Sequence, residues 1–294
     1  MSVVTLRSER PRLSDIAPTP PVFERCDGAC EVRFARRDGV SSLVHLFQRA
    51  PCRVLFPNVP ADDLPLAALL TTSGGLAGGD RARISVGVED GAQAVVTTQA
   101  AEKIYRSLGP DTRVDIALTV RADAWLEWLP QETILFDRAR LTRRTTAKIE
   151  PGGRLLATEM IAFGRAAHGE RMSTGLLHDR WSIRVAGRLL WVDALRLDGD
   201  IAARLDAPAG FDGATAVATA IYVGADAPTL LPLARALALD SDSRAGASLI
   251  GGALLARFIG RDARVLRADL ARYVADLRRA AAGLPARVPR LWDC

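Results

Sequence analysis

Short segments that alternate polar and apolar residues recur about every ten residues through the first two thirds of the chain. Residues 31–36 read Glu-Val-Arg-Phe-Ala-Arg, which is typical of a half-buried strand, and residues 114–120 alternate in the same way. This spacing leaves little room for helices between the strands. It predicts a mainly β fold that is antiparallel and β-rich, with a β-helix-like scaffold among its candidate forms, and it argues against a doubly wound α/β fold.

Turn signals lie between several of these segments. Glu89-Asp90-Gly91 separates residues 81–88 from residues 94–98, and an Asp-Gly pair between two alternating segments predicts a β-hairpin. Ala186-Gly187-Arg188 is a second turn signal, between residues 181–185 and 189–197. Both turns are consistent with an antiparallel sheet.

Helical periodicity appears late in the chain. Apolar residues recur at helical spacing over residues 262–282, and Gly283 and Pro285 follow directly, so this is the clearest of about two predicted helices. Residues 229–239 form the other. Residues 1–25 are polar and rich in proline, which predicts a flexible N-terminal tail ahead of a single β-rich domain at residues 26–294.

Composition narrows the class of protein. The 39 basic and 34 acidic residues give a net charge of +5, but only Lys103 and Lys148 are lysines, and the arginines are interleaved with aspartates rather than clustered. A clustered basic stripe would be typical of nucleic-acid binding, so no nucleic-acid partner is expected. No stretch approaches the roughly 18 apolar residues of a membrane span, and no membrane partner is expected. Four cysteines form no disulfide framework, which favours the cytoplasm.

The usual catalytic motifs are missing from the sequence. There is no GxxxxGK[ST] phosphate loop, no GxSxG nucleophile elbow and no HExxH zinc motif. Cys26 and Cys30 have CxxxC spacing, with Cys52 further on, but neither a second pair nor a nearby histidine completes a zinc site. No role is assigned to these three cysteines or to Cys294.

Three segments combine polar residues with glycine or large apolar residues: GGLAGGD at residues 74–80, TTQAAEKIYRS at residues 97–107 and LEWLPQETILFD at residues 126–137. A carboxylate in apolar surroundings is costly unless it is paired or hydrogen-bonded. The acidic residues in these segments therefore either form ion pairs with the many arginines or with Lys103, or serve as a route for a cation.

Together, the three segments resemble the UreD (UreH) family of urease accessory proteins. FGRAAHGE at residues 163–170 and the C-terminal stretches at residues 255–260 and 289–292 are similar to the family as well, so the resemblance covers roughly residues 30–292. Glu102 departs from the family pattern, in which a smaller residue is usual. The resemblance implies a β-rich, helix-poor fold and a protein that is not an enzyme.

The resemblance also implies partners. UreD-type proteins are scaffolds that act with UreF and the GTPase UreG, dock on apo-urease and assist GTP-dependent nickel insertion. The phosphate loop would then belong to UreG. No tightly bound cofactor is expected, and Ni²⁺ would be held only in transit, since a few carboxylates with water bind it more exchangeably than a site rich in histidine and cysteine.

Specific residues are named as hypotheses. The acidic and gating residues come from the matched segments, and the aromatic residues are chosen because amphipathic helices and tryptophan commonly anchor partners. Carboxylates would line a nickel passage, cations beside an aromatic ring would gate it or form ion pairs with those acids, and an aromatic pair near the C-terminus would bind a partner. The carboxylates of the passage are Asp80, Glu132, Asp137, Glu102 and Glu170. The gating or ion-pairing residues are Lys103, Arg106 and Tyr105, and the partner-binding residues are Trp292 and Tyr273.

A second reading stays open. A metal-dependent hydrolase could use the same carboxylates together with His168 or His178, although no compact ligand motif joins them in the sequence.

Overall fold

The computed structural model describes residues 25–293, so residues 1–24 of the predicted N-terminal tail and Cys294 lie outside the described residues. The described part is dominated by β-strands. The strands are β1 (Asp27–Arg37), β2 (Val40–Arg49), β3 (Cys52–Leu55), β4 (Leu66–Thr71), β5 (Arg81–Val88), β6 (Gln93–Thr98), β7 (Glu102–Ile104), β8 (Thr112–Val120), β9 (Trp125–Leu129), β10 (Thr133–Leu135), β11 (Arg140–Ile149), β12 (Arg154–Phe163), β13 (Thr174–Val185), β14 (Arg188–Asp200), β15 (Ala216–Val223), β16 (Arg244–Ile250) and β17 (Ala253–Gly260).

Two sheets face each other. The first has the order β14-β13-β11-β8-β5-β1-β2, and the second has the order β16-β17-β15-β12-β9-β6-β4-β3, with the short strands β7 and β10 joined to its β12 side. In the first sheet β1, β5, β8, β11 and β13 are parallel to their neighbours, while the β1–β2 and β13–β14 pairs are antiparallel. The mainly β prediction is confirmed, but the sheets are mixed rather than antiparallel.

The parallel pairing arises because the chain winds from one sheet to the other. In the first sheet, Arg81 on β5 lies beside Arg113 on β8. In the second sheet, Gln93 on β6 lies beside Trp125 on β9. β7 and β10 provide a short third side to successive coils. The arrangement is a β-solenoid, as the β-helix-like form anticipated.

The two predicted turns have different outcomes. The turn at Asp90-Gly91 does not close a hairpin, because it carries the chain from β5 in the first sheet to β6 in the second. That prediction was wrong, since local turn chemistry does not reveal which sheet the next strand joins. The turn at Ala186-Gly187 does close a hairpin, between β13 and β14.

Three helices complete the described residues: α1 (Ile201–Asp206), α2 (Ala227–Leu239) and α3 (Ala263–Ala282). The predicted C-terminal helix matches α3, which begins after Asp262, whose carboxylate caps it by accepting from Arg264 N, and ends at the left-handed Gly283. The short α1 was not predicted. None of the helices in residues 25–293 is long and apolar enough to cross a membrane.

The solenoid has two apolar layers. One core lies between the sheets and includes Phe34, Val96 and Ile183, and the other lies between the second sheet and the helices and includes Leu156, Leu270 and Val274. Inward-facing residues on the parallel strands therefore meet across the first layer, where the polar features described below are embedded.

Candidate functional site

A cavity of about 220 Å³ lies between the two sheets at the β7 edge. Thr71, Glu102 and Lys103 line it at one end, and Arg143 and Glu159 line it deeper inside. Lys103 is exposed whereas Arg143 is buried, so the cavity runs from the surface at β7 into the interior of the solenoid.

Glu102 is held at the outer end of this cavity. It pairs with Thr133 in the β7–β10 ladder, and Thr71 Oγ1 donates to its two carboxylate oxygens at 3.1 and 3.2 Å. Burial raises the pKa of Glu102 to about 7, against the opposing effects of the Thr71 hydrogen bond and the Lys103 charge. Near neutral pH this carboxyl group therefore exists in both protonation states and can exchange a proton for a cation.

A buried charged cluster occupies the inner end. Arg143 on β11 donates through Nε to Asp179 Oδ1 at 3.0 Å and through Nη2 to the other oxygen of the same carboxylate. Its Nη1 donates to Thr133 Oγ1 at 2.9 Å, and its Nη2 lies 3.0 Å from Glu159 Oε2. Because β11 and β13 belong to the first sheet and β10 and β12 to the second, one guanidinium joins the two sheets.

The two carboxylates of the cluster have different electrostatic environments. Burial raises the pKa of Glu159 well above its usual range; the negative charge of Asp179 adds to this shift, and the positive charge of Arg143 opposes it. Trp181 Nε1 donates a hydrogen bond to Glu159 Oε2 at 2.6 Å. Burial also disfavours ionisation of Asp179, but Arg143 holds the pKa of that carboxyl below its ordinary value. The cluster therefore places a carboxyl group that resists ionisation beside a buried Arg–Asp ion pair.

A second cavity, of about 320 Å³, continues from the cluster on its far side. Glu159 lines both cavities, and the second is lined further by Asp179 and by Asp193 and Arg257, which form an ion pair of 2.7 Å. The Arg257 side chain is 58% exposed, so this cavity also reaches the surface. The result is a line of polar groups from Glu102 to Asp193 that crosses the space between the sheets.

Two hydroxyls lining the first cavity have no hydrogen-bond partner among residues 25–293. Thr145 and Thr158 are buried, and the Oγ1 atom of each is unpaired. Buried polar groups are normally satisfied, so such hydroxyls mark places where water or another oxygen-seeking group is held.

Of the acidic residues predicted to line a passage, the structure brings only Glu102 to this cavity. Asp80 is buried beneath the glycine-rich turn, where its oxygens accept from Cys26 N at 2.8 Å and Ala77 N at 2.7 Å. Asp137 accepts from Ser173 N at 2.7 Å. These two carboxylates fasten backbone segments.

The other two acids face arginines. Glu170 Oε2 accepts from Arg165 Nε at 2.7 Å, and Glu132 Oε2 lies 3.7 Å from Arg267 Nε. The ion-pair alternative therefore describes their geometry. No common surface of the described residues joins them with Asp80 and Asp137.

The three predicted gating residues lie around the outer end. Lys103 lines the cavity, and the exposed Arg106 lies outside its lining and bridges to Ala139. Tyr105 donates its hydroxyl to Gly74 O at 2.9 Å. Tyr105 thus fixes the glycine turn beside the cavity rather than facing a cation.

Trp292 and Tyr273 are both buried within this chain, at 6% and 2% exposure. Trp292 Nε1 lies 3.2 Å from both Thr97 Oγ1 and Leu129 O, and the Tyr273 ring packs edge-on against Phe258. Both side chains thus pack the C-terminal segment on its own chain, and their partner-binding role stays a prediction.

Arg143, Asp179 and Glu159 were not anticipated from the sequence. Each side chain faces inward from its strand, where the other inward-facing residues are largely apolar. On β11, for example, the inward-facing residues are Leu141, Arg143, Thr145, Ala147 and Ile149. A charged residue in that phase is the signal that could have identified the cluster.

The hydrolase alternative requires a compact group of metal ligands. Within residues 25–293, no three side chains of histidine, cysteine, aspartate or glutamate are grouped so as to hold a metal ion. His168 is exposed on a short turn and lines neither cavity. The described residues thus offer no compact ligand set for that reaction.

Comparison with known proteins points in one direction. Residues 26–293 match the profile of a family described as UreD urease accessory protein. The chain is 44% identical to the urease accessory protein UreD of Magnetococcus marinus, over 90% of this chain and 93% of that protein. It is 43% identical to the UreD of Rhodopseudomonas palustris strain BisA53, over 96% and 98% of the two chains, and 43% identical to that of Azorhizobium caulinodans, over 86% and 91%.

Proposed function

Because the chain belongs to the UreD family of urease accessory proteins and so has a role in urease maturation, we propose that it acts there as a non-enzymatic scaffold and nickel conduit. In this proposal it works in the cytoplasm with UreF and the GTPase UreG, and docks on apo-urease. Ni²⁺ is its cargo rather than a resident cofactor. The observation that carries the proposal is the line of polar groups between the sheets.

The outer end of the conduit is Glu102. A carboxyl group with a pKa of about 7 gives up its proton to an arriving dication at little cost near neutral pH. Carboxylate, hydroxyl and water oxygens bind Ni²⁺ more weakly than clustered imidazoles or thiolates, so the ion can move on. Lys103 beside Glu102 disfavours long residence of a cation at this end.

The inner step takes place at the Arg143 cluster. A dication in the first cavity lowers the pKa of Glu159, whose proton leaves as the carboxylate forms and faces the ion. Thr145 and Thr158 supply unpaired hydroxyl oxygens on the same route. Arg143 remains bonded to Asp179 and keeps the local charge from becoming strongly negative, so the ion is released toward Asp193 instead of being trapped.

The test is co-expression of urease with its accessory proteins and variants of this chain, measuring nickel per urease and retention of UreF. Glu102→Gln and Glu159→Gln keep side-chain volume but remove the exchangeable charge, and each should lower nickel loading about tenfold while UreF is still retained. Asp90→Asn, an exposed residue, is the control. Normal nickel loading in both glutamate variants would contradict the conduit.

A second arm separates two routes. Glu132, with its partner Arg267, lies outside both cavities. If Glu132→Gln lowers nickel loading while Glu159→Gln does not, nickel passes by the acids of the matched segments rather than between the sheets.

A further inference from the structure

Two cysteines from different sheets meet in the wall of the first cavity. Cys30 on β1 and Cys52 on β3 are 2% and 3% exposed, both are free thiols, and both line the cavity. Their contact raises the pKa of the Cys30 thiol and lowers that of the Cys52 thiol. The nickel route proposed above uses neither sulfur.

The backbone beside Cys52 leaves room for its sulfur atom. Gly28 on β1 lies so close to Cys52 that an added Cβ would stand 2.6 Å from Cys52 Sγ, so any larger residue would displace the thiol. Cys52 is thus fitted against β1, the strand that also carries Cys30.

The chemistry of the pair selects one class of ligand. Thiolates are soft ligands that favour Cu(I), Zn²⁺ or iron–sulfur clusters over hard cations. Zinc takes four ligands, but no third histidine, cysteine or carboxylate joins the two sulfurs as a ligand group in the described residues. A closed-shell monovalent ion such as Cu(I) is satisfied by two thiolates alone.

We propose that Cys30 and Cys52 form a two-coordinate site for a soft monovalent cation of the Cu(I) class. Binding is an exchange in which one Cu(I) forms two Cu–S bonds and the two S–H bonds release two protons, which leaves one negative charge on the complex. Arg49 and Arg53 favour the thiolate of Cys52, which Glu102 disfavours. Besides the contact with Cys52, burial and Glu31 raise the pKa of the Cys30 thiol, so the bound ion must displace that proton against them. The ion would be in the wall of the cavity whose outer end is Glu102.

The experiment uses the full-length chain, reduced and kept without oxygen, with Cu(I) delivered in competition with a chromogenic Cu(I) chelator. We expect one Cu(I) per chain and a thiolate-to-copper absorption band in the ultraviolet. Cys30→Ala/Cys52→Ala should lose both, with at least a tenfold weaker apparent affinity. Cys26→Ala/Cys294→Ala, which also removes two thiols, should bind as the unaltered chain does.

The circular dichroism of all variants is recorded so that loss of folding is not taken for loss of the site; a single Cys52→Ala variant replaces the double variant if the latter unfolds. Equal Cu(I) binding by the two double variants would overturn the proposal. A parallel titration with Ni²⁺ should not distinguish the variants, and cysteine-dependent Ni²⁺ retention would overturn the two-coordinate assignment. Because none of these readouts involves urease, failure of the nickel conduit would leave them unchanged.

Discussion

Inside the solenoid, Arg143 Nη2 of the first sheet lies 3.0 Å from Glu159 Oε2 of the second. The same guanidinium donates two hydrogen bonds to the carboxylate of Asp179. Three ionisable groups are thus gathered where both sheets contribute apolar residues. The arrangement makes the sheets dependent on one another electrostatically as well as through packing.

The first prediction concerns removal of the shared cation. Arg143→Leu leaves the buried Asp179 carboxylate without its counter-charge, and removing one partner from a buried ion pair typically costs about 3–5 kcal/mol. We expect a loss of that order in the free energy of unfolding, measured by urea denaturation. Arg138→Ala, whose side chain is 69% exposed, should change it by no more than about 0.5 kcal/mol. Equal stability of the two variants would show that the cluster is not a structural tie.

The second prediction is a pH dependence. The pKa of Glu102 is raised from 4.5 to about 7, so between these values the folded state binds more protons than the unfolded state. The free energy of unfolding should therefore fall as pH rises through this window and level off above it, with a contribution of at most about 3 kcal/mol. Comparing urea denaturation of the unaltered chain and Glu102→Gln across the window isolates the effect, since the glutamine removes that part of the slope. Asp90→Asn should keep it.

The third prediction compares neighbours on α3. Arg278 is buried, donates through Nε to Glu127 Oε1 at 2.7 Å and through Nη1 to Pro285 O at 2.8 Å, and pairs with Asp63. Arg278→Ala should destabilise the chain by about 3–5 kcal/mol and speed amide hydrogen exchange in α3. Arg279→Ala is the matched control, because that side chain is 65% exposed. Similar exchange rates in both variants would refute an anchoring role.

The fourth prediction tests what Trp292 does. Trp292→Ala leaves a cavity in the core beneath α3 and should cost about 3 kcal/mol, whereas Trp292→Phe mainly loses the N–H donor and should cost about 1 kcal/mol. Thermal unfolding measures both, with Leu239→Ala as the control for an 83% exposed position. A stable Trp292→Ala chain that no longer retains UreF would instead favour a partner-binding role for this tryptophan.

Sequence periodicity predicted most strands in the first two thirds of the chain, and Gly283 predicted the C-terminal end of α3, because both depend on neighbours close along the chain. It could not predict the direction of pairing. The turn at Gly91 has the chemistry of a hairpin, and only the packing of β6 against the second sheet shows that the chain crosses over instead. Strand direction in a solenoid is decided by contacts about thirty residues away.

The site was predicted only at its outer end. Glu102 and Lys103 lie in a matched segment and line the cavity. Asp80 and Asp137 instead accept hydrogen bonds from backbone amides, and no sequence motif reveals these contacts. The inner cluster is assembled from strands far apart in sequence, so its members could be recognised singly as charges in an apolar phase but not as a group.

The parallel coils have a consequence for how the chain acquires its structure. Arg81 finds its neighbour Arg113 only after an intervening coil has been made, and Arg113 in turn finds Thr142 only after the next. Contacts of this sequence separation form late and slowly, because a long loop must be closed before any of them contributes. Until the next coil is wound, each newly made strand presents an open edge to other chains. Yield of folded protein should therefore depend on how quickly the coils follow one another during synthesis, and early release of the chain would favour aggregation over winding.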